Sequence, residues 1–121
     1  MPGIIGTAMK RVDAPAKARG QALYAVDYTN EKMLYACLVR AEYAHARIID
    51  IDVSQIPEGT YCFTAKDLVC NRIPFIFDDQ PALADEKVRF YGEPIAVVAA
   101  ESYEEALAAA KSVKVTYELL P

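Results

Sequence analysis

The residue types that can do chemistry are few in this chain and widely spaced. His45 is the only histidine, so a histidine base or metal site would depend on one imidazole. Its spacing to Cys62 and Cys70 matches no recognised metal motif. We therefore favour a hydrogen-bonded structural histidine at the start of a strand over a metal ligand.

Two pairs of adjacent acids are candidates for an acid and a base. They are Asp78 with Asp79 and Asp85 with Glu86. Neighbouring side chains of an extended segment point to opposite sides, so each pair is poorly placed to act on one substrate. Solvated loop acids are the favoured interpretation.

Nucleophile and phosphate-binding signals are weak as well. Ser54, Ser102 and the three cysteines have no base near them in the sequence, and Ser102 is predicted to cap a helix. Gly92 stands alone before a strand, whereas a phosphate loop needs closely spaced glycines that open a helix. The residues alone therefore do not describe a complete enzyme, and they assign no catalytic, cofactor-binding or metal-binding residue.

Composition bounds the class of protein. The chain has 121 residues, of which 54% are hydrophobic, and a domain of this size can bury a core. Its net charge is -4, and the charge is segregated: Lys10, Arg11, Lys17 and Arg19 against Asp13 make the first twenty residues basic, while the remainder is acidic. That basic segment has no aromatic residue for stacking on bases, which argues against a nucleic-acid partner.

Cysteine usage and hydropathy indicate the compartment. Three cysteines without a Cys-x-x-Cys pair make a disulfide framework improbable. We find neither a signal peptide nor an apolar run of membrane-spanning length. The sequence thus predicts a cytoplasmic protein that has no membrane partner.

The last third of the chain has the clearest structural pattern. The apolar run Pro94–Ala100 predicts a central strand, and Ser102 with Glu105 forms a capping box at the start of a helix that extends to Val113. The predicted apolar stripe of this helix is Tyr103, Ala106, Leu107, Ala110 and Val113. The alternation from Val113 to Leu119 predicts a strand with one covered face.

The middle of the chain predicts three more strands. Met33–Arg40 and Ala46–Val53 are expected to form an antiparallel pair, and Thr60–Thr64 is the third strand. A single helical turn is predicted near Ser54. The expected fold is therefore α+β, with a small mixed sheet, one main helix in the second half of the chain and a short helical turn.

The irregular segment Asn71–Lys87 is the loop predicted to contact another protein surface. It carries Phe75 and Phe77, and apolar side chains on a long loop need cover. We expect an exposed apolar patch around these two phenylalanines. Residues 1–16 are predicted to be an arm without stable order, followed by one domain over residues 17–121.

Four blocks of sequence, in order, carry a resemblance to a known family. They are GTAMKRVDAPAKARGQALYAVD, LVRAEYAHARIIDIDVS, PEGTYCFTAKD and VRFYGEPIAVVAAESYEEALAAAKSVKVTYELLP. The chain resembles the amino-terminal α/β-hammerhead domain of the molybdopterin-binding subunit in the xanthine dehydrogenase and aldehyde oxidase family. It departs from the family at Ala41-Glu42-Tyr43, where Ser-Pro-His is usual, and at Ala18, where a β-branched residue is common.

The resemblance implies a part of an oxidoreductase that hydroxylates purines, other heterocycles or aldehydes with oxygen from water. It implies molybdopterin-bound molybdenum in the full subunit, and iron–sulfur clusters and FAD in associated domains or subunits. The family's cofactor loops and catalytic glutamate lie downstream of this domain, so the implied role here is structural. The implied contact surface is Phe75 and Phe77 of the loop with the turn Tyr91, Gly92, Glu93 and Pro94.

Two alternatives stay open from the sequence. One is a free-standing binding or assembly module with the same fold. The other is a small metal or acid–base enzyme built on His45 and the paired acids. Substrate, electron acceptor and oligomeric state have no signal in these residues.

Overall fold

A computed structural model describes residues 5–74, 76–77 and 79–121. Two compact units are present, Met1–Met33 and Leu34–Pro121. The first unit contains helix α1 (Ala14–Ala18) and a 3₁₀ turn at Ala25–Asp27. Pro15 starts α1, and Asp13 before it pairs with Arg11 and Lys17. No helix among the described residues combines the length and hydropathy needed to span a bilayer.

The second unit contains eight strands and one longer helix within its described residues. In chain order they are β1 (Tyr35–Arg40), β2 (Ala46–Asp52), β3 (Tyr61–Thr64), β4 (Arg72–Ile73), β5 (Gln80–Pro81), β6 (Lys87–Val88), β7 (Pro94–Ala100), α2 (Tyr103–Ser112) and β8 (Lys114–Leu119). A 3₁₀ turn lies at Ala65–Asp67. The predicted α+β fold class is confirmed.

The strands form two three-stranded sheets and a two-stranded ribbon. The first sheet has the order β1-β7-β3, the second has the order β6-β2-β8, and β4 pairs with β5. All of these pairings are antiparallel. The predicted central position of Pro94–Ala100 is confirmed, because β7 lies between two strands that come earlier in the chain.

The predicted pairing of the first two strands was wrong. The segment Ala41–His45 carries the chain from one sheet to the other, so β1 pairs with β7 while β2 pairs with β6 and β8. A short connection between two strands suggests a hairpin, but the apolar strand β7 is the better partner for β1. Each of the two strands therefore finds its partner far away in the sequence.

The helical turn near Ser54 was also misplaced. Residues 54–56 form a turn closed by the Ile56 N–H on the Val53 carbonyl at 3.2 Å. The short helical turn lies instead at Ala65–Asp67, where Thr64 and Asp67 form a capping box. Asp67 accepts bonds from the Thr64 N–H and hydroxyl, and these bonds lower the pKa of its carboxyl.

The predicted cap of α2 is confirmed. The Glu105 N–H donates to the Ser102 hydroxyl at 3.2 Å, and the Ser102 N–H donates to the Glu105 carboxylate at 3.2 Å. The apolar stripe differs from the predicted one at two positions. Tyr103 is exposed, whereas Ala109 is buried together with Ala106. The small side chains of Ala106 and Ala109 are the ones that α2 buries completely.

The core lies between α2, the inner face of the first sheet and the second sheet. One cluster joins strand and helix residues, a second lies where the two sheets meet, and a third closes the start of α2. The largest side chains with almost no exposed surface are Ile95, Val88 and Val98. Ile51 and Val115 of the second sheet pack against both of the larger clusters.

Candidate functional site

The turn before β7 is held rigidly against the end of β1. The Gly92 N–H donates to the Ala41 carbonyl and the Ala41 N–H donates to the Glu93 carbonyl, both at 2.9 Å. The Arg40 guanidinium donates to the Gly92 carbonyl at 2.9 Å. Gly92 has a φ of +85°, a conformation that side chains with a Cβ rarely adopt. The turn therefore has one defined shape.

Glu93 is the buried charged residue of this turn. Its carboxylate accepts bonds from the Arg89 N–H and from the Arg89 guanidinium, the latter at 3.3 Å. A buried carboxylate is tolerated only when charged or polar donors compensate for the lost water. Glu93 thus faces the interior and fixes the turn from inside.

The aromatic side chains of the turn point outward. Tyr91 is 75% exposed, and its neighbour Phe90 is also exposed. An aromatic side chain on a rigid backbone loses little conformational freedom on binding, which favours contact with another protein. The anchored turn therefore presents Tyr91 in a form suited to an interface.

The loop that precedes this turn is closed at its base. The Asn71 amide donates to the Leu83 carbonyl at 2.8 Å and accepts from the Leu83 N–H at 2.9 Å. The Ala84 N–H donates to the Pro94 carbonyl at 2.7 Å. These bonds join the end of the loop to the turn, and so bring the two predicted contact elements together.

Phe77, which was predicted to contact another protein, is exposed on this loop. It is 74% exposed, and its neighbour Ile76 is exposed as well. Phe75 lies outside the described residues. The sequence analysis did not name Ile76 and Phe90 as contact residues. Both could have been found, because Ile76 precedes Phe77 directly in the sequence and Phe90 precedes Tyr91.

Arg72 and Asp85 form a half-buried ion pair beneath the loop. Both terminal nitrogens of Arg72 lie 3.0 Å from the same carboxylate oxygen of Asp85. Burial raises the pKa of Asp85, but bonds from the Glu86 N–H and from Arg72 outweigh it, so the pKa is lowered overall. Asp85 is therefore a structural acid rather than a freely solvated one. Of the other acids, Glu86 and Asp79 are exposed, and Asp78 lies outside the described residues.

The remaining chemical candidates have structural contacts. The His45 ring nitrogen Nδ1 lies 2.9 Å from the backbone oxygen of Pro121, which agrees with the structural interpretation. The three cysteines are free thiols. Burial raises the pKa of the Cys62 thiol and Asp67 raises it further, which disfavours the reactive thiolate. The described residues contain no group of three or more histidine, cysteine or acidic side chains placed to hold a metal ion together.

Two grooves open on the second unit. One of about 510 Å³ runs beside β1, α2 and β8 and carries Arg40, Lys111 and Lys114 above an apolar floor. The other, of about 640 Å³, is bordered by four acids. Those acids are Asp50, Asp67, Asp85 and Glu86. The first groove is also lined by Glu42 and the second by Lys66, so the two linings carry net charges of opposite sign.

These features define a class of protein: a small α+β domain whose exposed aromatic residues lie on an anchored turn and loop. The chain belongs to the aldehyde oxidase and xanthine dehydrogenase family, as its a/b hammerhead domain, since the model of that domain matches residues 19–121. The recognition made from the four sequence blocks is confirmed.

Curated relatives and solved structures agree with this membership. The chain is 36% identical to the nicotinate dehydrogenase large molybdopterin subunit of Eubacterium barkeri, across 97% of this chain and 28% of that protein. It is 38% identical to the xanthine dehydrogenase/oxidase of Mus musculus, across 98% of this chain and 9% of that protein. The aldehyde oxidoreductase from Desulfovibrio desulfuricans superposes with a TM-score of 0.86 at 36% identity, across 98% of this chain and 15% of that one. The chain thus spans less than a third of these proteins.

The described residues contain no glycine-rich phosphate cradle of the kind that holds a phosphate-bearing cofactor. A phosphate-bearing cofactor needs closely spaced backbone N–H groups, often from glycines that approach it tightly. Gly59 and Gly92 stand far apart, and a Cβ added at either would meet open space. No step of molybdenum chemistry is therefore assigned to this chain.

The burial of Glu93 leads to a testable prediction. We expect Glu93→Gln to lower the free energy of unfolding by about 1–2 kcal/mol, because the neutral amide weakens charge-assisted bonds in a buried position. The matched control is Glu118→Gln, which removes an exposed pair with Arg47 at 3.0 Å. That control should cost no more than about 0.5 kcal/mol. Urea unfolding measures both, and equal effects would contradict the proposed anchoring role.

Proposed function

We propose that this chain is a structural domain of a molybdenum hydroxylase. The complete subunit would hydroxylate purines, other heterocycles or aldehydes with oxygen derived from water, and the 121-residue chain would not catalyse that reaction alone. The observation that carries the proposal is the family match over residues 19–121, joined to relatives that are molybdopterin subunits. The chain spans less than a third of those relatives, which supports the proposal that the chemistry belongs to other parts of the subunit.

The contacts of the polar residues support a non-catalytic role. His45 contacts Pro121, Asp85 pairs with Arg72, and Glu93 is enclosed by bonds from Arg89. Each of these groups stabilises a turn or loop base. A general acid or base needs a side chain that is free to exchange a proton with a substrate.

The role that remains for this domain is contact with other parts of the subunit. We place that contact at Phe75 and Phe77 of the loop and at the turn Tyr91, Gly92, Glu93 and Pro94. Tyr91 and Phe77 would make the contact directly, while Gly92 and Glu93 set the shape of the turn. Iron–sulfur and FAD domains or subunits would be further partners of the complete enzyme, which we expect in the cytoplasm.

Elemental analysis tests the proposal. We expect stoichiometric molybdenum and hydroxylase activity in the complete subunit with its partners, and neither in the purified 121-residue chain. The reading frame should continue into molybdopterin-binding sequence, or a neighbouring frame should encode it. Stoichiometric molybdenum in the isolated chain would refute the structural role. A stop codon after Pro121 with no partner subunit encoded nearby would favour the free-standing module instead.

A further inference from the structure

The first sheet has a second face, turned away from α2, that is apolar throughout its two middle rows. The inner face carries residues such as Cys37 and Val98, which pack into the core with α2. Side chains alternate along a strand, so the residues between them point the other way. We name this surface the outer face. The strand register places its six residues in two rows, Leu38–Val97–Phe63 and Ala36–Ala99–Tyr61.

The outer face is open in this chain. Tyr61, Phe63 and Leu38 are 56%, 46% and 40% exposed, and none of the six residues belongs to a core cluster. An antiparallel sheet with one solvated face normally alternates apolar side chains inside with polar ones outside. Here both faces are apolar, which marks the outer face as a surface that becomes buried.

The second sheet provides an internal comparison. Its exposed side carries charged and polar pairs: Arg47 bonds to Glu118 at 3.0 Å, and Asp52 lies opposite Lys114. Two sheets of one small domain therefore differ in their exposed chemistry. The second sheet also exposes single apolar side chains, Ile49 and Leu119, but the contiguous apolar rows belong to the first sheet.

The size of the outer face limits what can cover it. An aromatic side chain buries about 150–250 Å² in full, so two half-exposed aromatics and their aliphatic neighbours offer a few hundred Å². A stable interface between separate proteins needs roughly 800 Å² from each partner. A second copy of this chain is therefore a poor occupant. An element in the same polypeptide is held close by its covalent connection, so a smaller contact suffices.

The chemistry of the outer face describes the occupant. The two rows contain no charged side chain, so a matching surface is apolar. The small residues Ala36 and Ala99 form a shallow floor between the larger Leu38 and Tyr61, where a ridge of side chains fits. The inner face of the same sheet is already covered by α2, so an element packed on the outer face would add a third layer.

We propose that the outer face is the docking surface for the apolar stripe of an amphipathic helix, contributed by the molybdenum-enzyme subunit outside these 121 residues. This inference rests on the proposed function, because it takes the occupant from the larger subunit. It adds a second contact surface, made by strands and separate from the anchored turn and loop.

Acidic substitutions on the outer face test the inference. In the 121-residue chain alone we expect Phe63→Glu and Leu38→Glu to lower the thermal midpoint only slightly, because nearly half of each side chain is already exposed. In the complete subunit each should lower the midpoint of the transition that includes this domain by several degrees, since a charge is then buried without a partner. The matched control is Ile49→Glu, at an apolar residue of the second sheet that is 56% exposed, which should shift both midpoints by the same small amount.

The outcomes separate this inference from the proposed function. An unchanged midpoint of the complete subunit in both Phe63→Glu and Leu38→Glu would overturn the docking inference, while molybdenum in that subunit would still support the proposed function. Sedimentation of the isolated chain should show a monomer. A dimer that Phe63→Glu dissociates would identify a second copy as the occupant and would also overturn the inference. The use of two variants on different strands guards against one that fails to fold.

Discussion

Ile95→Ala is expected to lower the free energy of unfolding by about 2–5 kcal/mol, the largest effect we predict for any conservative change in this chain. Ile95 has no exposed surface and lies in the core cluster where the two sheets meet, against Ala41, Ala46 and Val88. Its partners are mostly small and belong to several elements, so they cannot close the cavity that alanine leaves. The substitution should therefore cost both the lost burial and the empty volume.

Ile49→Ala is the matched control for this prediction. Ile49 lies on β2 and is 56% exposed, so the same deletion removes little buried surface and should cost less than about 1 kcal/mol. Urea unfolding of the two variants measures the difference. If both lost the same stability, the cluster between the sheets would not be the main core of the domain.

Ala109→Leu is the second large effect that we expect, at about 3 kcal/mol of lost stability. Ala109 is fully buried on the face of α2 that lies against the first sheet, in one cluster with Ala96 and Val98. Leucine adds three carbon atoms where the helix backbone lies close to the strands. The helix must then move away from the sheet or the new side chain must adopt a strained rotamer.

Ala108→Leu provides the comparison, because Ala108 is the preceding residue of the same helix and is exposed. Leucine and alanine are both good helix formers, so this change should alter stability by no more than about 0.5 kcal/mol. Thermal unfolding followed by circular dichroism distinguishes the two variants. A tolerated leucine at position 109 would show that α2 does not pack tightly on the sheet.

The strand–helix–strand at the end of the chain could be predicted because its signals are local. The capping box of Ser102 and Glu105 lies within four residues, and the alternation of β8 lies within six. The predicted apolar stripe of α2 was less accurate. Hydropathy favoured Tyr103, which is exposed, and overlooked the small Ala109, which is buried. Apolar character alone does not say which side chain fits beneath a helix.

The pairing of β1 and the base of the long loop could not be predicted in the same way. β1 pairs with β7, which lies far along the chain, and the bonds between Asn71 and Leu83 span twelve residues of irregular chain. The burial of Glu93 could not be predicted either, because acidic side chains are usually exposed. The outer face did leave one signal, since Tyr61, Cys62 and Phe63 are apolar in succession and a strand with a wet face would alternate.

The strand order β1-β7-β3 has a consequence for how this domain is made. Tyr35 pairs with Ala100, so β1 has no partner until the ribosome has added 65 more residues. β3 pairs with the same strand, β7, and is also unpaired until then. Contacts between residues so far apart in sequence slow folding, because the chain loses the entropy of loop closure before the strand pairing compensates for that loss. The apolar strands β1 and β3 therefore emerge from the ribosome without their shared partner. Until β7 has emerged, the edges of β1 and β3 stay unpaired, and unpaired apolar strand edges make a partly folded chain prone to aggregate.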